Sequence, residues 1–268
     1  MKNKTGSKTR LTAVCLICIL LLTLLPQTVF AASLKTVYVV SSIAEKGDYS
    51  HNTQTFAYDR TGKLKSFKGS FYISKSTDNK GDKATFSYSK DQNISNHFNY
   101  YLGYHIYDYF FTWKKNKLVK GSCFTSSGST DYKYTYTKGK ITKAAATNYG
   151  NTTNYLLTYD KKGRLASLSS RMDGQPEKTF AYDKKGNLKK VTSKHENLLY
   201  TTTYKSGRAV KIVCTDADSN STRFTVAIKY KKIKLSAAAK KITDKQQKQL
   251  LFNYAYRQDI PYIPFGAM

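Results

Sequence analysis

Several residue types are scarce in this sequence. Of its 268 residues only four are proline, one is tryptophan, four are cysteine and three are glutamate, while Lys+Arg outnumber Asp+Glu by 45 to 17. So few prolines, with Thr, Tyr, Val and Ser abundant between glycines, is the composition of strands and tight turns. The shortage of acid leaves a formal net charge of +28. Disorder throughout is still excluded, because hydrophobic residues reach 40% and aromatics 14%, more than a chain too polar to fold contains.

Chemistry-bearing patterns are missing as well. His51, His97, His105 and His195 stand apart, with no His-x-x-x-His or Cys-x-x-Cys spacing, so no metal site is indicated. There is no glycine-rich phosphate loop and no Gly-x-Ser-x-Gly, which leaves neither a cofactor nor an activated nucleophile to assign. Fourteen of the 17 acids are Asp, many beside Gly, Asn or Ser, which suits turns better than a catalytic carboxylate pair. Asp216, Asp218 and Asn220 stand at alternate positions; they read either as a calcium loop or, more simply, as a solvated one. No enzyme activity is expected.

What is present begins with a leader. Lys2, Lys4, Lys8 and Arg10 precede an uncharged apolar run from Leu11 to Pro26, and Val29-Phe30-Ala31 offers small residues where a signal peptidase reads. The run is shorter than the roughly 20 residues that cross a bilayer, so 1–31 is expected to be a signal peptide and no membrane span to follow. Its removal takes 31 of the 268 residues and four cations, leaving a net charge of +24. The expected product is secreted or cell-wall associated.

An internal repeat dominates the rest. Tyr58-Asp-Arg-Thr-Gly62-Lys-Leu64, Tyr159-Asp-Lys-Lys-Gly163-Arg-Leu165 and Tyr182-Asp-Lys-Lys-Gly186-Asn-Leu188 align, and weaker copies begin at Tyr88, Trp113, Tyr136, Tyr204 and Tyr230. The eight anchors are 30, 25, 23, 23, 23, 22 and 26 residues apart, a period at which tandem units stack to bury their apolar faces. Each copy reads as a hairpin. Asp59 with Gly62, Asp160 with Gly163 and Asp183 with Gly186 have the spacing of a type I turn followed by a left-handed glycine. Lys138-Gly139 and Ser206-Gly207 put Gly139 and Gly207 in two-residue turns. Alternation on the flanks, as in Tyr155, Leu157, Tyr159 and Phe224, Val226, Ile228, is that of strands.

These Tyr-Asp-x-x-Gly-(Arg/Asn/Lys)-Leu copies resemble the YD repeat of the Rhs and wall-associated protein family, over about Thr53 to Leu235 and most closely from Tyr155 to Val191. The resemblance implies long winding β-sheets, secreted or displayed at the cell surface, with carbohydrate as one class of ligand. A weaker similarity, to the hairpin repeats of choline- and glucan-binding modules, meets only one of their tryptophans, Trp113.

The expected architecture is all-β: an antiparallel meander of about eight tandem hairpins over 32–235, forming an extended twisted sheet, with a C-terminal helix and tail over 236–268 as cap. Thr243-Asp-Lys-Gln246 fits a capping box, with Leu250, Leu251, Tyr254 and Ala255 on one side of a helix ending near Arg257. A partner-docking helix is the other reading of that segment. The repeat turns should lie on one edge, and the longer turns with Asp173, Glu177, Glu196, Asp216 and Asp218 on the other.

On that first edge Lys114, Lys115, Lys138, Lys161, Lys162, Arg164, Lys184, Lys185, Lys205 and Arg208 would form a basic ladder, its rungs two strands or about 9.6 Å apart. Such a ladder suits electrostatic adhesion to an anionic cell-wall polymer or polysaccharide, with tyrosines offering flat surfaces to sugar rings. The alternative is a structural or protein-interaction sheet in which lysines only keep long edges soluble. Nucleic acid, which shares the Lys/Tyr chemistry, is disfavoured by export. Cys123 and Cys214 each follow their anchor by ten residues, four repeats apart. An open sheet would hold them roughly 38 Å apart, too far for a disulfide, so two buried, unlinked thiols are expected.

Overall fold

The computed structural model describes residues 34–47, 51–69, 83–91, 93–101, 104–170 and 176–255. The leader and its cleavage site, Asp173, and the tail after 255 lie outside the described residues. Sixteen strands follow one another. The first eight are β1 (Lys35–Gly47), β2 (His51–Tyr58), β3 (Leu64–Gly69), β4 (Lys83–Tyr88), β5 (Ile94–Tyr101), β6 (Tyr104–Lys114), β7 (Lys117–Thr125) and β8 (Gly128–Thr137). The rest are β9 (Lys140–Asn148), β10 (Asn151–Tyr159), β11 (Leu165–Ser169), β12 (Lys178–Tyr182), β13 (Leu188–Ser193), β14 (Leu198–Lys205), β15 (Arg208–Asp216) and β16 (Thr222–Leu235). Each pairs antiparallel with its chain neighbours, and β1 also pairs with β16, so the sheet closes into a barrel.

Closure overturns the extended twisted sheet expected from the repeats, and the repeats themselves explain it. Pairing register slips just before Tyr58, Tyr88, Trp113, Tyr136, Tyr159, Tyr182 and Tyr204. Such a bulge bends its strand and increases the local twist, and seven at equivalent places curl the sheet in one sense. The other cause lies upstream of the first anchor. Thr36-Val37-Tyr38-Val39-Val40 is β-branched and aromatic, and β1 runs beside β16 from Lys35 opposite Leu235 to Gly47 opposite Phe224. The last anchor, Tyr230, lies opposite Val40 in that seam. The N-terminal strand therefore completes the eighth hairpin.

Inward and outward positions alternate along each strand. In β16, Phe224, Val226 and Ile228 are buried while Arg223, Ala227 and Lys229 are exposed. In β8, Tyr134 is buried between exposed Lys133 and Thr135. The inward residues form one apolar cluster around the ring, with Phe67, Leu118, Ile141 and Ile212 almost wholly buried. Each such side chain stabilises the closed form by about 1.5–3 kcal/mol.

A helix, α1 (Ala237–Leu250), follows β16, and a π-helical turn, Leu251–Ala255, follows it. It starts earlier than the capping box indicates: Ser236 is the N-cap, its hydroxyl accepting from the Ala239 amide at 3.3 Å. Three alanines after the cap make this the better start. Thr243 instead sits in mid-helix, fully buried, donating to the Gly62 carbonyl at 3.1 Å. Gln247 accepts from the Val40 amide at 2.7 Å and donates to the Tyr58 hydroxyl at 3.1 Å. Leu250, Phe252 and Ala255 join the barrel's core, where the Phe252 ring lies 5.2 Å from that of Phe180. The helix is thus fixed at the end of the barrel where β16 finishes and the repeat turns lie.

Candidate interaction surface

The anchor aromatics tie each hairpin to the one before it. Tyr88 donates to the Leu64 carbonyl at 2.7 Å, Trp113 through Nε1 to that of Ile94 at 2.7 Å, and Tyr159 to that of Ile141 at 2.7 Å. Tyr182, Tyr204 and Tyr230 donate in the same way to Leu165, Leu188 and Ala209, each at 2.9 Å. Tyr136 reverses the sense and accepts from the Leu118 amide at 3.0 Å. Cations cover several of these rings: Lys63 lies over Tyr88, Lys117 over Tyr136, Lys140 over Tyr159, Arg164 over Tyr182 and Lys231 over Tyr58, all within 5.5 Å of the ring centroid. These tyrosines are therefore inter-hairpin clasps and not the open platforms for sugar rings that the sequence suggests. Burial pushes Tyr159 and Tyr182 up to about 12.

The turn residues are placed as follows. Asp59, Asp160 and Asp183 each accept, through the main-chain carbonyl, from the amide of Gly62, Gly163 and Gly186, whose φ values are +82°, +73° and +84°. Their carboxylates serve the same turns. Asp160 takes the Lys162 and Arg164 amides and the Arg164 guanidinium, and Asp183 takes the Asn187 amide and side chain. Arg164 and Asn187 hold the carboxyls of Asp160 and Asp183 below their usual range. Gly139 and Gly207 follow Lys138 and Ser206 in two-residue turns with positive φ at both positions. Gly62 has a further duty: a Cβ there would lie 2.5 Å from Leu235 and 2.6 Å from Thr243, so its bareness lets α1 close on the turn.

Because the barrel is an up-and-down ring, all seven repeat turns lie at one end, together with α1. The basic ladder thereby becomes a rim. Two of its ten members are withdrawn from it. Arg164 pairs with Asp160 at 2.6 Å, and Arg208 stacks on Tyr38 with its guanidinium carbon 3.9 Å from the ring centroid. Lys114, Lys115, Lys138, Lys161, Lys162, Lys184, Lys185 and Lys205 are all exposed. Among the described residues none of these eight has a carboxylate within ion-pair distance. Lys240, Lys241, Lys245 and Lys248 of α1 add to the same end, with Asp244 paired to Lys240. Partial burial and the nearby Lys140 depress the Lys245 ammonium. Lys140 stands directly after a turn glycine, as Lys63 and Arg164 do, and that position alone did not single it out.

The opposite end differs. Its described turns and the strand ends beside them hold Glu45 with Lys46, Lys68 and Lys83, Glu177 with Lys178, Lys194 with Glu196, and Asp216 and Asp218 with Arg223. Lys178 pairs with Glu196 at 3.7 Å and Arg223 with Asp216 at 2.7 Å. Asp216 also accepts from the Asp218 and Ser219 amides and the Ser219 hydroxyl, and these bonds, led by the Ser219 amide, hold its carboxyl far below the usual range. Its oxygens thus serve the turn. Among the described residues no group of three or more His, Cys, Asp or Glu is placed to hold a metal ion. His97 is buried and stacked between Phe86 and Tyr109. On the outer wall Phe110 and Phe124 are 40% and 50% exposed, edge to face with each other, and Phe98 meets Phe110 likewise.

No family model matches the chain and no curated protein matches it. Solved structures similar to it include a porin-like protein from Bacteroides uniformis, with a TM-score of 0.38 and 11% identity over 72% of this chain and 98% of that one. Tc toxin components are also among them. A TcdB2-TccC3-TEV structure gives a TM-score of 0.33 and 15% identity, covering 70% of this chain and 12% of that one. The Photorhabdus luminescens Tc holotoxin pore gives 0.31 and 13%, covering 64% and 11%. The chain spans only about an eighth of the length of those toxin chains. No functional conclusion rests on likeness at this level.

Proposed function

We propose that this chain is an exported, non-catalytic β-barrel that works through its outer surface, as a structural or protein-interaction component of the cell surface. The observation that carries this reading is the outward trio of Phe98, Phe110 and Phe124, apolar rings in contact through Phe110 on a wall whose other exposed strand positions are mostly polar, Tyr38 and Leu156 being the other large apolar side chains exposed on described strands. Contiguous exposed apolar surface of this kind marks contact sites. The apolar inner face, filled by the barrel's own side chains and by Leu250 and Phe252, supports the view that recognition happens outside. No helix among the described residues is long and apolar enough to cross a membrane. What supports a water-facing wall is its chemistry: exposed Lys120, Lys133, Lys143 and Lys211 stand on strands where a lipid-facing barrel needs an apolar band.

A second reading is adhesion to an anionic cell-wall polymer or polysaccharide, and the eight exposed rim lysines favour it. Binding of the mature chain to intact cell envelopes separates the two. The interaction reading expects retention at about 1 M salt, where the Debye length is about 3 Å, and loss after protease treatment of the envelopes or in a Phe110→Ser, Phe124→Ser double variant. Retention that survives protease but is washed off by salt would replace it with the second reading.

A further inference from the structure

We infer that the outer wall formed by β6, β7 and β8 is a homodimer interface, on which a second copy of this chain packs about a two-fold axis that crosses the strands at the row of Phe111, Gly121 and Tyr132. The inference rests on the reading of the Phe98, Phe110 and Phe124 wall as a contact site, and names the partner. Three observations carry it. The first is where the acids stand. Lys+Arg outnumber Asp+Glu by 45 to 17, so two copies repel one another over most of their surfaces. Asp108 and Asp131 are the only acids on the described strands that are not buried. Both lie on this wall, Asp108 opposite Phe98 and Phe124 and Asp131 opposite Ser122, so the repulsion is least here.

The second observation is the symmetry of charge about that row. Phe111 stands opposite Gly121, and Gly121 opposite Tyr132. On the outward face Phe110 and Thr112 flank Phe111, Ser122 and Lys120 flank Gly121, and Asp131 and Lys133 flank Tyr132. An isologous contact brings residue i to j and j to i. A two-fold axis along the row therefore sets Asp131 of each copy against Lys133 of the other, and Asp108, three residues before Phe111, against Lys114, three residues after it. Each acid meets a lysine, and no acid meets an acid. The two Phe110 rings fall about 6.8 Å apart along the strand direction, within the range of aromatic contact. A foreign partner would not require each acid to be answered by a lysine at the same distance across one row.

The third is shape. Strands β6 to β10 are 9 to 11 residues long, whereas β3, β4 and β11 to β13 have 5 or 6. Beside the rings, short side chains on this panel are already tied to one another, Ser122 to Asp131 at 2.7 Å and Thr147 to Thr152 at 2.9 Å. Short, pre-ordered side chains lose little conformational entropy on burial. Four strands of the panel span about 20 Å by 30 Å, or about 600 Å² per copy, the size of a small specific interface. A closed barrel offers no edge to pair, so two copies meet through their sheets face on face.

The test is sedimentation velocity of the mature chain over a range of protein concentration, in which the unmodified protein should reach dimer mass in the micromolar range. Phe110→Ser should weaken association about tenfold or more. So should Asp131→Lys, which sets two cations together across the axis, and Lys133→Asp, which sets two acids together. Mixed in equal amounts, these two charge variants should form a heterodimer about as readily as the unmodified protein dimerises, because positions 131 and 133 then meet opposite charges again. In a mixture of unlabelled and isotope-labelled unmodified protein, carbodiimide should join Asp131 of one copy to Lys133 of the other, a readout that needs no variant to fold. Variants that dimerise unchanged, or a mixture no tighter than its separate components, would overturn the two-fold contact on this wall. A protein that stays monomeric at every concentration would sink the inference as a whole. Protease-sensitive envelope retention that still needs Phe110 in such a monomer would keep the contact-site reading and give the wall to a different protein.

Discussion

The hydroxyl of Tyr58 donates to the carbonyl of Val40 at 2.8 Å, across the seam where the N-terminal strand meets the rest of the barrel. The same bond joins Tyr182 to Leu165 within the repeat array, so the seam copies the internal joints. It differs in one respect, because Gln247 of α1 also bonds both the Val40 amide and the Tyr58 hydroxyl. The helix is in effect a lock on the closure.

Tyr58→Phe should therefore destabilise the barrel more than Tyr182→Phe. Each variant leaves a carbonyl without its donor, at about 1–3 kcal/mol, but the first also strips a partner from Gln247. Urea unfolding of the two variants checks this. Equal losses would mean that the helix contributes nothing to the seam.

Two glycines separate backbone strain from packing at the same joint. Gly62 and Gly139 have nearly the same φ, +82° and +78°, yet a Cβ meets Leu235 and Thr243 at the first and nothing within 4 Å at the second. Gly139→Ala should cost about 1–2 kcal/mol for the left-handed backbone, and Gly62→Ala should add about 1–3 kcal/mol of overpacking against α1. Both are read from denaturation midpoints. A Gly62→Ala variant as stable as Gly139→Ala would show that α1 does not press on the turn.

How much of this was legible follows from what the signals encode. The hairpins were readable because anchor, aspartate and glycine sit at fixed offsets, as in Tyr159-Asp160-Gly163. Closure was not, because the anchors mark where the slips fall, as between Ala181 and Tyr182 and at its six counterparts, but not how far each bends the sheet. The partner of Tyr230 was missed for another reason: Val40 precedes the first repeat and carries none of its motif. The rim lysines were legible as a charge pattern. The use of Arg164 and Arg208 inside the fold was not, since it requires the neighbouring strand's tyrosine in space.

The clasps also set an alkaline limit. Tyr159 and Tyr182 are raised to about 12 by burial, against an unfolded value of about 10. A raised folded value favours the protonated, hydrogen-bonding form in the native state. Its contribution is fully present below pH 10 and is lost as pH rises from 10 through about 12. Unfolding free energy measured between pH 9 and 12 should fall over that window, with phenolate absorbance appearing together with loss of structure. The fall should be shallower in Tyr182→Phe. Phenolate formation well below pH 11 in a still-folded protein would contradict the clasp.

The cysteines test closure itself. Cys123 on β7 and Cys214 on β15 are both buried and form no disulfide, as expected, but the reason differs from the open-sheet argument. In a ring of sixteen strands β7 and β15 are eight strands apart by either route, so the repeat that sets them four hairpins apart places them on opposite sides of the barrel. A disulfide needs Cα atoms within about 7 Å, and the two cysteines stand on strands that are not neighbours in the ring. Both thiols should resist alkylation in the native state, where burial also pushes Cys123 upward, and both should react in denaturant without reductant. A barrel that closed after eight strands would instead superpose β7 on β15. A linked Cys123–Cys214 peptide in the unreduced protein would point to that smaller ring and overturn the sixteen-strand closure.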